Sequence, residues 1–525
     1  MSIDKSNKKK LLIVADLGAS NPKFIISFKR NKVDYLILDS EIEKVPFSLF
    51  NKYREEEEWL IDERLASEDA YLQLANDEDY YWLFGALSQN FEPEQRLKQK
   101  KYELGALRIL CGLGVLTQQQ GIKDRNFELD LCILLPVEEI GDKQRFLNYF
   151  ENIAEKWWFR GEAFSCTLGK TYCEREGAST LRYLLNKQQY KDKYKKQNLG
   201  LVMAGYRNLS FFLIRNGNTE VQKSPAKGFH RCIEKISKNN AAIKPSELNA
   251  AMANAYYSLL RYELETLPKD IYQQFKAILG EDKSLSSSEI QELLKTQNNL
   301  YQNGKLFQYK FVNGDSNYIS YKKCLRSYVF SRLGATPNWG ECPEIKRLIK
   351  STNPDIAKQE LNDLVTDINK ELKDYGEEFQ TFLERYFQEV DQLLILGGAS
   401  IFLYHWLSTF GNYWDQVNLE ITNEKDDPRE EDYIYSNFSP PYEKSSYFYN
   451  PERKVRKIDS LPSLRKELVD GLGLDTKETT YSSIPLRFLD CYCFYKLCLN
   501  QIKKEDQEQR RQRKAKEMNE EGAEN

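Results

Sequence analysis

Histidine is nearly absent. The 525-residue chain holds His230 and His405 and no others. A structural zinc site takes four nitrogen or sulfur ligands, so a histidine-built metal centre is excluded. The ten cysteines are scattered, mostly inside apolar stretches (Cys111, Cys132, Cys166). One cluster, Cys491, Cys493 and Cys498, has too few partners for such a site and reads as core packing. Unpaired thiols of this kind suit a reducing compartment, so a cytoplasmic location is expected. No apolar run approaches the roughly 18 residues of a membrane span. Residues 1–10 are polar and basic, so no secretory leader is expected. An excess of either charge is also missing. Lys and Arg total 76 against 79 for Asp and Glu, a formal net charge of -3. That balance excludes a surface that coats nucleic acid generally and leaves only local basic patches. No short-period repeat is present, which excludes solenoids and propellers.

What is present is an ample apolar share, 41% of residues, in a chain too long for one core, so two or more domains are expected. Residues 11–15, 24–28 and 33–38 read as three strands, the last two joined at a polar turn over 29–32. Residues 39–99 are polar, acidic and aromatic, as in an inserted subdomain. A buried helix is predicted over 102–116, a strand over 127–135 ending at Pro136, and a helix over 142–158. A strand over 164–172 and a helix over 177–185 follow, then a Lys-rich connection at 187–196. The pattern restarts with strands at 199–204 and 209–214, and Asn216-Gly217 marks a further hairpin. Helices dominate 228–388, with one strand near 306–312. A last strand at 392–396 runs into Gly397-Gly398 and a helix through 407. Residues 424–459 read as loop. Residues 484–502 are apolar at helical spacing and are expected to dock on the first domain. Residues 503–525 read as a charged tail, frayed or without order; it is either solvated or in contact with DNA or an adaptor.

Three turns carry the chemistry. Asp16-Leu17-Gly18-Ala19-Ser20-Asn21-Pro22-Lys23 occupies the first hairpin. Gly18 lets backbone approach an anion closely, Ser20 and Asn21 supply short polar groups, and the turn amides can form an anion nest. Asp16 suits a hydrated Mg²⁺, which takes carboxylate and water ligands, and Lys23 adds a cation. An ordinary polar turn would be spelled much the same way. The second turn is Gly205-Tyr206-Arg207-Asn208. The third is Gly397-Gly398-Ala399-Ser400, bare backbone between a buried strand and a helix N-terminus.

In this order and at these separations the turns resemble the phosphate-one, phosphate-two and adenosine motifs of the actin, sugar-kinase and heat-shock-chaperone superfamily. The spelling from Asp16 to Lys23 looks most like the ParM/StbA group, as do the strand 129–136, the acidic turn Glu138-Glu139 and the region of Glu174. The resemblance covers roughly residues 10–410. It implies an α/β, two-domain actin-like ATPase fold, built from duplicated ribonuclease H-like domains around an interdomain nucleotide cleft. The domains would span 1–196, with an insert around 39–100, and 197–423; residues 424–525 form a C-terminal extension. The implied cofactors are ATP and Mg²⁺. Asp16, Gly18, Ser20, Asn21 and Lys23 match the first phosphate loop, with Asp16 toward the metal. Gly205, Arg207 and Asn208 occupy the second, and Gly397 and Gly398 the adenosine position. Arg207 reads equally as a phosphate-facing cation or a surface arginine. Glu174 and Glu176 are the candidates for orienting the attacking water, Glu174 preferred because small residues follow it at the offset seen in bacterial actins.

One departure stands out. The second phosphate motif has an Asp two residues before its Gly, and here that place is Met203. Phosphoryl transfer depends on positioning and electrostatics around the metal, so weak hydrolysis is expected. The implied role is a filament-forming plasmid- or DNA-segregation protein that self-associates and works with a DNA-binding adaptor. A degenerate actin-like scaffold and a small-molecule kinase of the same superfamily are the alternatives.

Overall fold

Leu11, Ile13 and Ala15 project from one side of the first strand and Leu12 and Val14 from the other, and all five are buried. A strand covered on both faces belongs inside a sheet flanked by two layers, and the architecture follows from that. The structure, a computed structural model, describes residues 8–18, 21–29, 32–56, 64–91, 100–187, 191, 197–261, 285–286, 318–319, 337–387, 390–403, 457–459, 462–474 and 484–523.

The first half runs β1 (Lys9–Asp16), β2 (Lys23–Lys29), β3 (Lys32–Ile37), β4 (Ile42–Pro46), α1 (Phe47–Glu56), β5 (Tyr71–Leu74), β6 (Asp77–Phe84) and α2 (Gly85–Gln89). It continues with α3 (Lys101–Gln119), β7 (Asn126–Leu135), a 3-10 turn (Val137–Asp142), α4 (Lys143–Ala154), β8 (Trp157–Phe159), β9 (Glu162–Arg175) and α5 (Ala178–Asn186). Next come β10 (Leu199–Ala204), β11 (Leu209–Arg215), β12 (Asn218–Lys223), α6 (His230–Asn239), α7 (Pro245–Arg261) and the short pair β13 (Leu285–Ser286) and β14 (Tyr318–Ile319). The remainder is α8 (Pro343–Lys346), α9 (Pro354–Tyr386), β15 (Gln392–Leu396), β16 (Lys457–Asp459), α10 (Pro462–Leu472) and α11 (Ile484–Ala523).

The strand order β3-β2-β1-β7-β9 is repeated as β12-β11-β10-β15-β16. In each half the hairpin strands are antiparallel and the next two strands run parallel to the first. The first sheet extends through β8, β5, β6 and β4. There Phe50, Tyr53, Tyr71, Tyr81 and Phe91 pack into a small aromatic cluster.

Both sheets are covered on both faces. Helices α3 and α4 fill the outer face of the first sheet, and α6, α7 and α9 that of the second. Between them lies a shared core. Leu12, Val14, Cys132 and Leu134 from one sheet and Leu201, Met203, Leu394 and Leu396 from the other pack with α5, α10 and α11. Cys491, Cys493 and Cys498 are buried in this core as free thiols.

Several elements differ from expectation. The helix predicted over 142–158 ends at Ala154, and Trp157–Phe159 becomes a strand paired with β5. Two tryptophans and a phenylalanine favour a pleated, half-buried surface, and Arg160-Gly161 at positive φ reverses the chain into β9. Residues 457–459, read as loop, add a parallel edge strand beside β15. The segment beyond 502, read as frayed or without order, continues α11 without a break to Ala523. The strand predicted near 306–312 lies outside the described residues. Among the described residues no helix is long and apolar enough to cross a membrane.

Candidate functional site: a cleft at the carboxyl ends of the parallel strands

The parallel strands of both sheets end on one crevice, the place where open α/β sheets bind ligands. Its lining includes Asp16, Gly18, Asn21 and Lys23 after β1, Glu176 after β9, and Gly205 to Asn208 after β10. Gly397 and Gly398 follow β15 into the same crevice. The cleft encloses about 900 Å³ including its open mouth.

The two hairpin turns are built alike. A Cβ on Gly18 would stand 2.7 Å from the carbonyl oxygen of Asn21, and one on Gly205 2.9 Å from that of Asn208. Each turn thus folds so tightly that only glycine fits. The Gly205 amide closes its turn on Asn208 O at 3.0 Å. Gly397 sits at φ 95°, in the left-handed region, with Ala204 O against it. Asn21 donates from Nδ2 to Leu38 O at 3.1 Å, which ties the first turn to the end of the hairpin.

The charges are arranged in pairs. Asp16 and Lys23 are both buried and pair at 2.5 Å, directly opposite each other in the β1–β2 register. Arg207 pairs with Glu139, which belongs to the 3-10 turn after β7 of the other sheet. Neighbouring Glu138 accepts the Ser224 amide at 2.8 Å. The acidic turn therefore joins the two walls of the cleft. Arg207 is largely buried and lines the cleft, so it is not the surface arginine that was one of its two expected placements. Met203 lies in the lining at the place equivalent to Asp16 and presents a thioether there.

The two glutamates separate. Glu174 accepts the Arg175 amide at 3.0 Å and pairs with Arg182, outside the cleft lining. Glu176 is buried, lines the cleft, and donates its amide to Leu135 O at 2.9 Å. Of the two candidates, Glu176 is the one in the cleft lining. Strand β9 runs to Arg175, beyond the predicted end near 172, and that shift carries the strand-to-helix turn to Glu176. Ser20 lies outside the described residues.

Several lining residues carry no motif. Asn249, Ala253 and Tyr257 lie at i, i+4 and i+8 on α7, a spacing that places them on one helix face. Phe229 and Phe402 stack at 4.2 Å, 7° from parallel, behind the second turn. Arg487 enters from α11, and nothing in the sequence around it signals a site.

The chemistry on offer follows from these groups: glycine turns open backbone to an anion, one end is polar and carries cations, and the other is aromatic. Residues fit a nucleoside polyphosphate. For Mg²⁺ the protein offers Asp16, and among the described residues there is no cluster of three or more metal-ligating side chains. That suits an ion held by one carboxylate, waters and phosphate oxygens.

No protein-family model and no curated protein matches the sequence. Among solved structures, the chain is similar to ParM of Bacillus thuringiensis with ATP, at 12% identity and TM-score 0.38, over 76% of this chain and 89% of that one. It is similar to the ParM of a 15-stranded filament from Clostridium botulinum, at 13% identity and TM-score 0.39, over 78% and 94%. Likeness to AlfA of B. subtilis plasmid pLS32 in its filament is 16% identity and TM-score 0.30, over 45% and 80%. At such scores they remain likenesses. The α/β assignment stands on the duplicated strand order.

Proposed function

We propose that the chain is an actin-like protein of the ParM type that binds Mg·ATP in this cleft, between two domains built around the two sheets. The observation that carries the reading is the convergence of two equivalent glycine hairpin turns and the Gly397-Gly398 turn on one crevice with Asp16 and Lys23. Backbone amides of those turns and Lys23 would hold phosphates, and Asp16 would hold Mg²⁺ through its waters. The aromatic end would take the base. Bound Mg²⁺ would neutralise charge on the phosphates; Glu176 would orient a water. With Met203 in place of a carboxylate, turnover is slow. Nucleotide-dependent head-to-tail self-association, as for heterologous contacts that do not close, completes the reading, with a DNA-binding adaptor as partner in the cytoplasm.

A ligand that binds only the folded state raises its melting temperature. Mg·ATP is expected to raise that of the intact chain, and Gly205→Val, which forces a side chain into Asn208 O, to abolish the rise. A chain whose melting temperature ignores Mg·ATP would contradict the reading. The scaffold alternative draws on Met203; it keeps the fold with a degenerate nucleotide site and predicts sedimentation that does not respond to ATP.

A further inference from the structure

Helix α11 reaches the cleft from the far end of the chain. Its first turns pass between the sheets, where Phe488 and Leu489 are buried in the shared core. Arg487, half-buried, lines the cleft with Asp16 and Lys23. Its stem lies along the bare backbone of Gly398: a Cβ there would stand 3.3 Å from Arg487 Cγ and 3.7 Å from Cδ. Burial holds its pKa below the usual arginine value, and Tyr257, Asp16 and Asp39 offset part of that effect.

The helix is fixed in rotation by the residue one turn on. Asp490 Oδ2 accepts the Gly177 amide at 2.7 Å, and its Oδ1 accepts the Thr180 amide and the Thr180 hydroxyl, both at 2.9 Å. It thus caps α5, the helix that starts beside Glu176. Tyr492 donates to Glu467 O of α10 at 3.0 Å. Further along, Lys170 pairs with Glu505 and Asp506, and Tyr172 donates to Glu505 at 2.9 Å. A side chain borne on an element held at so many points is pre-organised.

We infer that Arg487 is a phosphate-binding residue of the cleft, so that the C-terminal helix forms part of the nucleotide site. The inference rests on the proposal that the cleft takes a nucleoside polyphosphate. A guanidinium presents a planar fork of donors that matches phosphate oxygens in pairs. Arg487 brings its cation to the cleft lining beside Gly398, in the same crevice as Lys23 and Arg207.

The test is calorimetric titration of the full chain and of Arg487→Gln and Arg487→Lys with Mg·ATP, Mg·ADP and adenosine. Loss of a charge-assisted hydrogen bond is expected to weaken Mg·ATP binding by about tenfold or more in Arg487→Gln, with adenosine affinity unchanged. Arg487→Lys, which keeps the charge and the stem, is expected to fall between the two, and it carries the test if Arg487→Gln does not fold. Mg·ATP affinity of either variant equal to that of the intact chain would overturn the inference while leaving the nucleotide site standing. Equal losses for adenosine and Mg·ATP would also overturn it and assign Arg487 to the base or to folding. Absence of any nucleotide binding by the unmodified chain would remove the nucleotide site itself, and the inference with it.

Discussion

Asp16 and Met203 occupy equivalent places in the two halves, each two residues before the glycine of its hairpin turn, and they are chemically opposite. The carboxylate is paired with Lys23, while the thioether lines the facing wall. Replacing Asp16 by Ala would take both counter-charge and hydrogen-bond acceptor from the buried Lys23, at about 3–5 kcal/mol of stability; Asp16→Asn also removes the charge but keeps an oxygen that can accept from Lys23, and is the milder variant. Turnover tests the other half of the comparison. Met203→Asp is expected to raise the rate of ATP hydrolysis, and a lower or unchanged rate would show that the missing carboxylate does not limit it. Glu176→Gln is expected to lower whatever hydrolysis occurs by about 10²-fold or more, and Glu174→Gln, whose carboxylate faces Arg182, to leave it nearly intact. The reverse ranking would return the role to Glu174. The motif around Asp16 was legible because glycine turns between apolar strands have a local signature. That Glu176 and not Glu174 lines the cleft was hidden, because it depends on where β9 ends, and strand ends are set by pairing with β7 rather than by local composition.

Helix α11 shows what sequence periodicity can and cannot reveal. The apolar spacing of 484–502 announced a docking face. Its partners were hidden, because a cap such as Asp490 on Gly177 and Thr180 joins residues more than 300 positions apart. Continuation of the helix to Ala523 was also hidden, since the last turns are charged on every side and their composition equally suits a solvated coil. Phe488, Leu489, Tyr492, Phe494, Tyr495 and Ile502 are all buried, and each contributes about 1.5–3 kcal/mol. Their sum rivals the whole stability of a typical domain, about 5–15 kcal/mol. A chain ending before Ile484 is therefore expected to lose cooperative unfolding, whereas removal of residues 507–525 should move the melting temperature little. Asp490 adds a pH signature. Burial raises its pKa to about 7, against the opposing effect of its three hydrogen bonds. The unfolded value is about 3.9. Between those two values the folded state binds more protons, so this group's contribution is full below about 4 and is lost as pH rises toward about 7. Asp490→Asn should flatten that part of the stability profile. An unchanged slope between pH 4 and 7 would show that the carboxylate is ionised throughout.

At the scale of the molecule, the duplication was readable from a strand–hairpin–helix unit that starts near residue 11 and again near residue 199, while the order of the strands in each sheet was not. The joining of the halves was not. It is made by the Arg207–Glu139 pair, by Glu138 on the Ser224 amide, and by the helices between the sheets. A nucleotide held by turns of both halves would bias how they sit together, which offers a route from occupancy to assembly. Light scattering of the intact chain is expected to rise with Mg·ATP and not with buffer alone; a particle that stays monomeric at high concentration with nucleotide would contradict filament formation. All of this depends on whether the cleft binds nucleotide where the glycine turns converge. Calorimetric titration of Mg·ATP into the intact chain and into Asp16→Asn, side by side, tests that most directly. One saturable site in the intact chain, weakened about tenfold or more in the variant, is the expected result, and equal affinity in the two proteins or no heat in either would contradict it.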